Sequence, residues 1–338
     1  MARRARAQDV ADLVGMSRSA VSLVLNGHGK GNISKAKQQA ILDAARQLNY
    51  RPNALALSLR SRRTWTLGVL TWRGASGFPE VLLHSAWETA TAASFVLILM
   101  DTANDPEHEA RAISTLLDRQ VDAVVVIAPE LIDYRPPDAL VGTTTYLVNC
   151  VDPDQRVTSV APDEQGGAAC AAQILVDRGH LRIALLTDDA PTAQNRDRVG
   201  GVQAVLAASG LPPAVELLAD RDIRQAAARA YEALSGENAP TGFVCTHERL
   251  ALAVVLAAGQ LGLRIPEDLS IISMDDGEEL ATSLVPALAT VQRPDRAMAE
   301  QAIGRLMKEL TSDKEPEVNQ LLFVCPPDLG ASTGPPPG

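Results

Sequence analysis

Gln8-Asp9-Val10-Ala11-Asp12-Leu13-Val14-Gly15-Met16-Ser17-Arg18-Ser19-Ala20-Val21-Ser22-Leu23-Val24-Leu25-Asn26 is the stretch that decides how this 338-residue chain is read. It describes a short helix, a tight turn at Gly15 and a second helix opened by Ser17 as N-cap. Val21, Val24 and Leu25 recur at helical spacing and can pack on Val10, Ala11 and Val14, which leaves Arg18, Ser19, Ser22, Leu23 and Asn26 pointing outward. A small helix pair with one polar, hydroxyl-rich face is shaped to lie in the major groove of DNA.

Charge agrees. Residues 1–63 hold twelve Lys and Arg against three Asp, a net of +9. The whole chain is −10, so the remainder carries −19. That asymmetry gives the head a polyanionic partner and the body none. Arg3, Arg4, Arg6, Lys30, Lys35, Lys37, Arg60, Arg62 and Arg63 flank the helix pair as phosphate contacts.

The glycines of Gly27-His28-Gly29-Lys30-Gly31 follow no strand, so they do not make a nucleotide-binding loop. Ser34 opens a third helix running to about Leu48. Tyr50-Arg51-Pro52-Asn53 breaks it, and Ala54 to Leu59 reads as one more short helix.

From Trp65 the texture changes. Apolar runs at Leu67–Leu70, Phe95–Met100, Val121–Ala128 and Tyr146–Val148 alternate with helical stretches such as Pro106–Arg119. A second set, Ile183–Leu186, Phe243–Cys245 and Ile271–Met274, alternates with Gly166–Arg178, Arg198–Ala208, Ile223–Leu234 and Glu248–Leu261. Continuous apolar strands between helices mean parallel sheets covered on both faces, here as two doubly wound lobes. Ligands of such sheets sit at the carboxyl ends of the strands.

A hydrophobic fraction of 46% with only 3% aromatics describes a globular protein built on Ala, Val and Leu. No apolar run is long enough for a membrane span. The basic Met1–Arg6 lacks the apolar stretch of a secretory signal. Cys150, Cys170, Cys245 and Cys325 fit no metal or disulfide spacing. These features together suit a reduced, cytoplasmic, nucleoid-associated protein with no cofactor. HExxH, GxSxG and P-loop patterns are all missing, and neighbouring Asp275 and Asp276 at a strand end point to different sides, so an enzyme is not expected.

The chain resembles the lactose-repressor/galactose-repressor family of bacterial transcription regulators. The resemblance rests on Asp9-Val10-Ala11, Val21-Ser22, Leu25-Asn26, Leu48-Asn49-Tyr50-x-Pro52-Asn53 and Ala56-x-x-Leu59 in the head. In the body it rests on Arg178-Gly179-His180-x-Arg182-Ile183-Ala184, Arg198-x-x-Gly201, Leu261-Gly262-Leu263-x-Ile265-Pro266-Glu267-Asp268, Ser273-Met274-Asp275-Asp276 and Ala331-Ser332-Thr333-Gly334. The fold it implies is an all-α helix-turn-helix head plus hinge helix, joined to an α/β periplasmic-binding-protein-like core of two doubly wound lobes.

The expected division is 1–50 for the DNA-binding head, 51–63 for the hinge helix and linker, and 64–330 for the effector-binding and dimerisation core. Within the core, the N-lobe takes about 64–161 plus 293–321 and the C-lobe about 162–292 plus 322–330. Crossings between lobes are expected near Ala161–Glu164, Val291–Arg293 and Leu321–Phe323, with 331–338 a flexible tail.

The resemblance implies a homodimer on a pseudo-palindromic double-stranded operator, acting most simply as a repressor. A small molecule, a sugar or sugar derivative, would occupy the cleft between the lobes. By position the DNA-binding set is Ser17, Arg18, Ser19, Ser22, Leu23, Asn26, Asn53, Ala56 and Leu59. Leu23 stands where many members carry Arg; it either touches a thymine methyl or faces away, which leaves Arg18 as the residue for direct base readout. Leu59 matches the family's minor-groove wedge.

The effector set is Trp72, Phe78, Asn149, Arg198, His247 and Asp275. Arg198 is expected to begin a helix at the cleft, and both it and Asp275 serve either a ligand or a structural ion pair. Trp72 and Phe78 either stack on a ligand or belong to the lobe core, and His247 adds an imidazole. A solute-binding receptor for transport shares the body architecture, but it would need an export signal and no DNA head.

Overall fold

The computed structural model describes residues 5–25, 29, 31–50, 63–74, 79–219, 222–274, 278–312 and 317–337. The chain divides into two compact units, Met1–Trp65 and Thr66–Gly338.

Among the described residues the first unit holds three helices, α1 (Ala7–Val14), α2 (Arg18–Leu25) and α3 (Lys35–Gln47). Gly15 ends α1 in the left-handed region, φ 63°, a conformation that costs glycine nothing. Ser17 then caps α2, its Oγ accepting the Ala20 N–H at 3.2 Å. Val10, Ala11, Val21, Val24, Ile41, Ala44 and Ala45 form the small core, with Val14 and Leu25 packed at its edge. The Gln38 amide closes the connection into α3 by donating to Gly29 O at 2.9 Å and Ile33 O at 2.6 Å.

The second unit is two sheets. The strands of the first are β1 (Thr66–Thr71), β2 (Val96–Asp101), β3 (Ala123–Asp133), β4 (Thr145–Val151), β5 (Thr158–Pro162) and β11 (Gln320–Phe323). They run in the order β11-β5-β4-β3-β1-β2, and every pair is parallel. Helices α4 (Glu80–Ala92) and α12 (Asp295–Thr311) cover one face through Leu82, Ala86, Met298, Ile303 and Leu306. Helices α5 (Pro106–Asp118) and α6 (Asp138–Val141) cover the other through Ile113, Leu116 and Leu140.

The strands of the second sheet are β6 (Ile183–Thr187), β7 (Val215–Leu218), β8 (Gly242–Cys245), β9 (Ser270–Met274), β10 (Ala289–Val291) and the short antiparallel β12 (Pro327–Asp328). Their order is β12-β10-β9-β8-β6-β7. Helices α7 (Glu164–Asp177) and α8 (Ala193–Ala208) pack on one face, α9 (Ile223–Leu234) and α10 (Glu248–Leu261) on the other, and α11 (Glu278–Ser283) follows β9. Central strands are buried on both faces, as their unbroken apolar runs require. Each fully buried leucine, such as Leu175 or Leu185, contributes about 1.5–3 kcal/mol of transfer free energy. A Cβ at Gly201 would overlap the carbonyl of Gln165, so Gly201 is what lets α7 and α8 approach.

The chain passes between sheets three times. Two passages lie between Pro162 and Glu164 and between Val291 and Asp295. The third comes later than expected, over 324–326, because Leu322 and Phe323 still pair with Ala161 and Pro162 in the first sheet. The segment 331–337 is not the free tail expected of its composition. Ser332 is buried, its Oγ accepting the Ala289 N–H at 2.7 Å and donating to Ile271 O at 2.6 Å, and its carbonyl accepts the Ile271 N–H. Buried backbone groups at the ends of β9 and β10 need partners, and this segment supplies them.

Candidate functional site

Two regions carry the chemistry, the outer face of α2 and the carboxyl ends of the two sheets. On α2, Arg18 and Ser19 are exposed and Ser22 and Leu23 half-buried, while Val21 and Val24 turn inward. The helix therefore presents one polar side, as its spacing predicts. Ser17 Oγ is engaged as the cap, which points the first N–H groups of α2 outward from a fixed start. Asn26, Asn53, Ala56 and Leu59 lie outside the described residues.

In a doubly wound sheet a ligand crevice opens where the strand order reverses. That point lies between β1 and β3 in the first sheet and between β6 and β8 in the second. Trp72 follows β1, Glu130 lies in the outer part of β3, Asp188 follows β6 and His247 follows β8. The carboxyl ends face each other. Gln194 at the start of α8 accepts the Leu131 N–H of β3 at 3.1 Å, and Arg196 reaches Asp133 at 3.5 Å.

Asp188, buried to 6% exposure, organises the second sheet's side. Its Oδ2 lies 3.2 Å from His247 Nε2, and its Oδ1 takes the Asn195 Nδ2 donor and the Ala190 N–H. Asn195 is placed by the first turn of α8, which Thr192 caps by accepting its N–H at 3.2 Å. Across the cleft, Asn149 in β4 is fully buried at φ 58°, a left-handed position that Asn tolerates, and its Nδ2 donates to Ala128 O at 3.0 Å.

Arg198 is a correction. It does not begin a helix at the cleft; Pro191 and Thr192 start α8 five residues earlier, at Ala193, and leave Arg198 inside its second turn. There it is fully buried and forks on Glu164, Nε to Oε2 at 2.7 Å and Nη2 to Oε1 at 3.0 Å, with Nη1 donating to Thr246 O. Arg198 is thus engaged in an ion pair with Glu164. The pair lies under the passages between lobes, where Cys325 feels the charges of Glu164, Arg198 and Arg293. Burial pushes the Cys325 thiol up to about 12, so it is inert at neutral pH.

Trp72 packs with Leu70, Ala112 and Leu116 in the N-lobe core, the second of its two placements. His247 is buried against Asp188 and is not a surface histidine. Phe78 and Asp275 lie outside the described residues. The spacing signals did not mark Asp188, Asn195 or Glu164. Asp188 was within reach, as the first polar residue after the apolar run Ile183–Leu186 and its Thr187. Asn195 and Glu164 depend on where α8 begins and on a contact between distant segments. Among the described residues no cluster could hold a metal ion, and no helix is long and apolar enough to cross a membrane.

Residues 7–53 match the family described as bacterial regulatory proteins, lacI family, and residues 172–333 match the periplasmic binding protein-like domain. The head therefore matches the lacI-family model and the body the periplasmic binding protein-like model. The repressor PurR of Photobacterium profundum is 29% identical, over 95% of this chain and 96% of its own. The ribose operon repressor of Escherichia coli K12 is 28% identical, over 95% of this chain and 97% of its own. A solved Lac repressor dimer, bound to operator and an anti-inducer, superposes with TM-score 0.80 at 20% identity over 98% of this chain and all of that one. This chain is thus a DNA-binding transcriptional regulator and not an enzyme.

Proposed function

We propose that this regulator is a cytoplasmic repressor that binds a pseudo-palindromic operator as a homodimer and answers to a small molecule in the interlobe cleft. The single observation that supports it most is the outer face of α2, where Arg18 and Ser19 stand exposed beside a capped helix start within a net-positive head. The named relatives are repressors, and the Lac repressor was solved as a dimer on operator DNA. A transport receptor would have no use for that head.

The second copy has a surface to meet. β2 and β7 are the outermost strands at one end of each sheet, and both expose apolar side chains, Val96, Leu99, Val215 and Leu218. Val81 and Trp87 on α4 extend that surface beside β2. Bare apolar edge strands invite pairing with another chain, and a two-fold partner covers them. Charge at Leu99 and Leu218 should give a monomer by light scattering and weaken operator binding together. A dimer that persists in that variant rules this surface out.

Control follows from the construction. Three short passages join lobes that already touch through Gln194 and Leu131, so a ligand that favours one lobe arrangement shifts the N-lobe surfaces and the spacing of the two heads. Operator affinity with and without sugars and nucleosides, alongside thermal shift, tests this. A bound ligand that leaves operator affinity unchanged contradicts it.

A further inference from the structure

β3 carries extra residues that its partner β4 lacks. Ile127 pairs with Val148 and Ile132 with Cys150, so residues 128–131 stand against Asn149 alone. Such a bulge bends its strand and re-aims what the strand carries. Two contacts brace it from its own lobe. The Asn149 amide donates to Ala128 O at 3.0 Å, and Pro129 lies so near Gly74 that a Cβ there would overlap its ring. The bulge is thereby a firm projection at the carboxyl edge of the first sheet.

The other lobe grips it. Gln194, buried in the first turn of α8, takes the Leu131 N–H on its Oε1 at 3.1 Å. Leu131 itself is buried with Ala161 of β5 and with Ala193, the first residue of α8. Asp133, just past the bulge, meets Arg196 at 3.5 Å; both side chains are exposed, so that pair is weak and screened by salt. All three contacts join one short stretch of β3 to one turn of α8. The passages between the lobes are short stretches of chain that can act as hinges, so direct contacts between the carboxyl ends bear on the angle at which the lobes rest.

We infer that the β3 bulge and the first turn of α8 form a clasp built into the chain, and that Gln194, by holding the Leu131 N–H, biases the lobes toward this arrangement independently of any ligand. The inference rests on reading lobe arrangement as the control of operator affinity, and goes beyond it by placing part of that control in two segments of the protein itself. Parting the lobes returns the Leu131 N–H and the Gln194 amide to water, so the clasp is a modest bias, of the size one buried hydrogen bond gives. A ligand adds to that bias or works against it, and Gln194 tunes the basal affinity for operator.

Hydrogen exchange of the full-length protein, read by mass spectrometry on overlapping peptides across 128–133, tests the clasp. Binding to an operator duplex selected with the wild type tests its reach. The Leu131 amide should be protected in the wild type. Gln194→Met keeps the length of the side chain and removes the acceptor. It should speed exchange at Leu131 about three- to tenfold, leave 123–127 unchanged and shift operator affinity by a similar factor in buffer without small molecules. Arg196→Ala, an exposed change, should move both readouts in the same direction by less. Free exchange at Leu131 in the wild type overturns the inference, whether or not the variants fold. Faster exchange in Gln194→Met with operator affinity unchanged also overturns it and leaves the proposed function standing. Failure of the wild type to select any operator overturns the proposed function instead, while the exchange result still decides whether the lobes are clasped.

Discussion

The imidazole of His180 holds the carbonyl of Gly334, 154 residues further along, with Nε2 3.0 Å from the oxygen. A carbonyl only accepts, so Nε2 carries the proton and Nδ1 accepts from Thr241 Oγ1 at 2.9 Å. Ser270 completes the staple, its Oγ donating to Gly334 O at 3.1 Å and accepting the Gly334 N–H at 2.9 Å. The last residues are thereby part of the C-lobe.

Burial lowers the His180 pKa, with the Gly334 contact opposing it in part. The folded state therefore favours the neutral ring relative to the unfolded chain, whose His titrates near ~6.5. Below that pH the unfolded state binds more protons, so the contribution of His180 is complete above ~6.5 and is lost as pH falls through the lower folded value. Thermal melts from pH 8 to 5 should show this loss in the wild type and a flatter profile in His180→Leu. Each buried group orphaned by that substitution costs on the order of 1–3 kcal/mol. Deleting 331–338 should lower the melting temperature as well; an unchanged melt would show the segment to be unanchored.

The Arg198–Glu164 pair should behave as a coupled unit. Removing either partner alone strands a buried charge and costs about 3–5 kcal/mol, while replacing both with apolar residues should cost much less than the sum. Denaturant titrations of Arg198→Met, Glu164→Leu and the double variant give the coupling. Additive losses would contradict a dedicated pair.

Arg18, exposed at the start of α2, is the residue we propose reads a base. Arg18→Ala should cost about 1–3 kcal/mol against the preferred operator and much less against random duplex. Ser17→Ala should instead destabilise the head by roughly 0.5–2 kcal/mol through loss of the α2 cap. Competition binding and melts of the two variants separate the roles.

Leu59 lies outside the described residues, yet its place in the sequence carries a prediction. Leu59→Ala should weaken operator binding more than binding to random DNA, since a minor-groove wedge gains only where the duplex kinks. Equal losses on both duplexes would remove it from that role.

The head is legible in the sequence because its signals are local: Gly15 as a helix stop, Ser17 as a cap and Val21 and Val24 one turn apart. The strand–helix alternation of the core is legible for the same reason. The setting of Arg198 is not, because it depends on where α8 starts and on Glu164, which is 34 residues away. Nor is the tail, because Gly and Pro composition says nothing of the unpaired groups at Ile271 and Ala289 that Ser332 satisfies. Local chemistry shows what the elements are. Partnerships across distant segments decide which polar residues are left for a ligand.

Symmetric, sequence-specific binding through Arg18 is best probed by selecting duplexes from a random pool with the full-length protein, with stoichiometry read by light scattering. One two-fold symmetric motif should emerge, bound by one dimer, and its enrichment should collapse in Arg18→Ala. Uniform, salt-sensitive binding to all duplexes, with no motif enriched, would contradict the assignment of this chain as an operator-reading dimer.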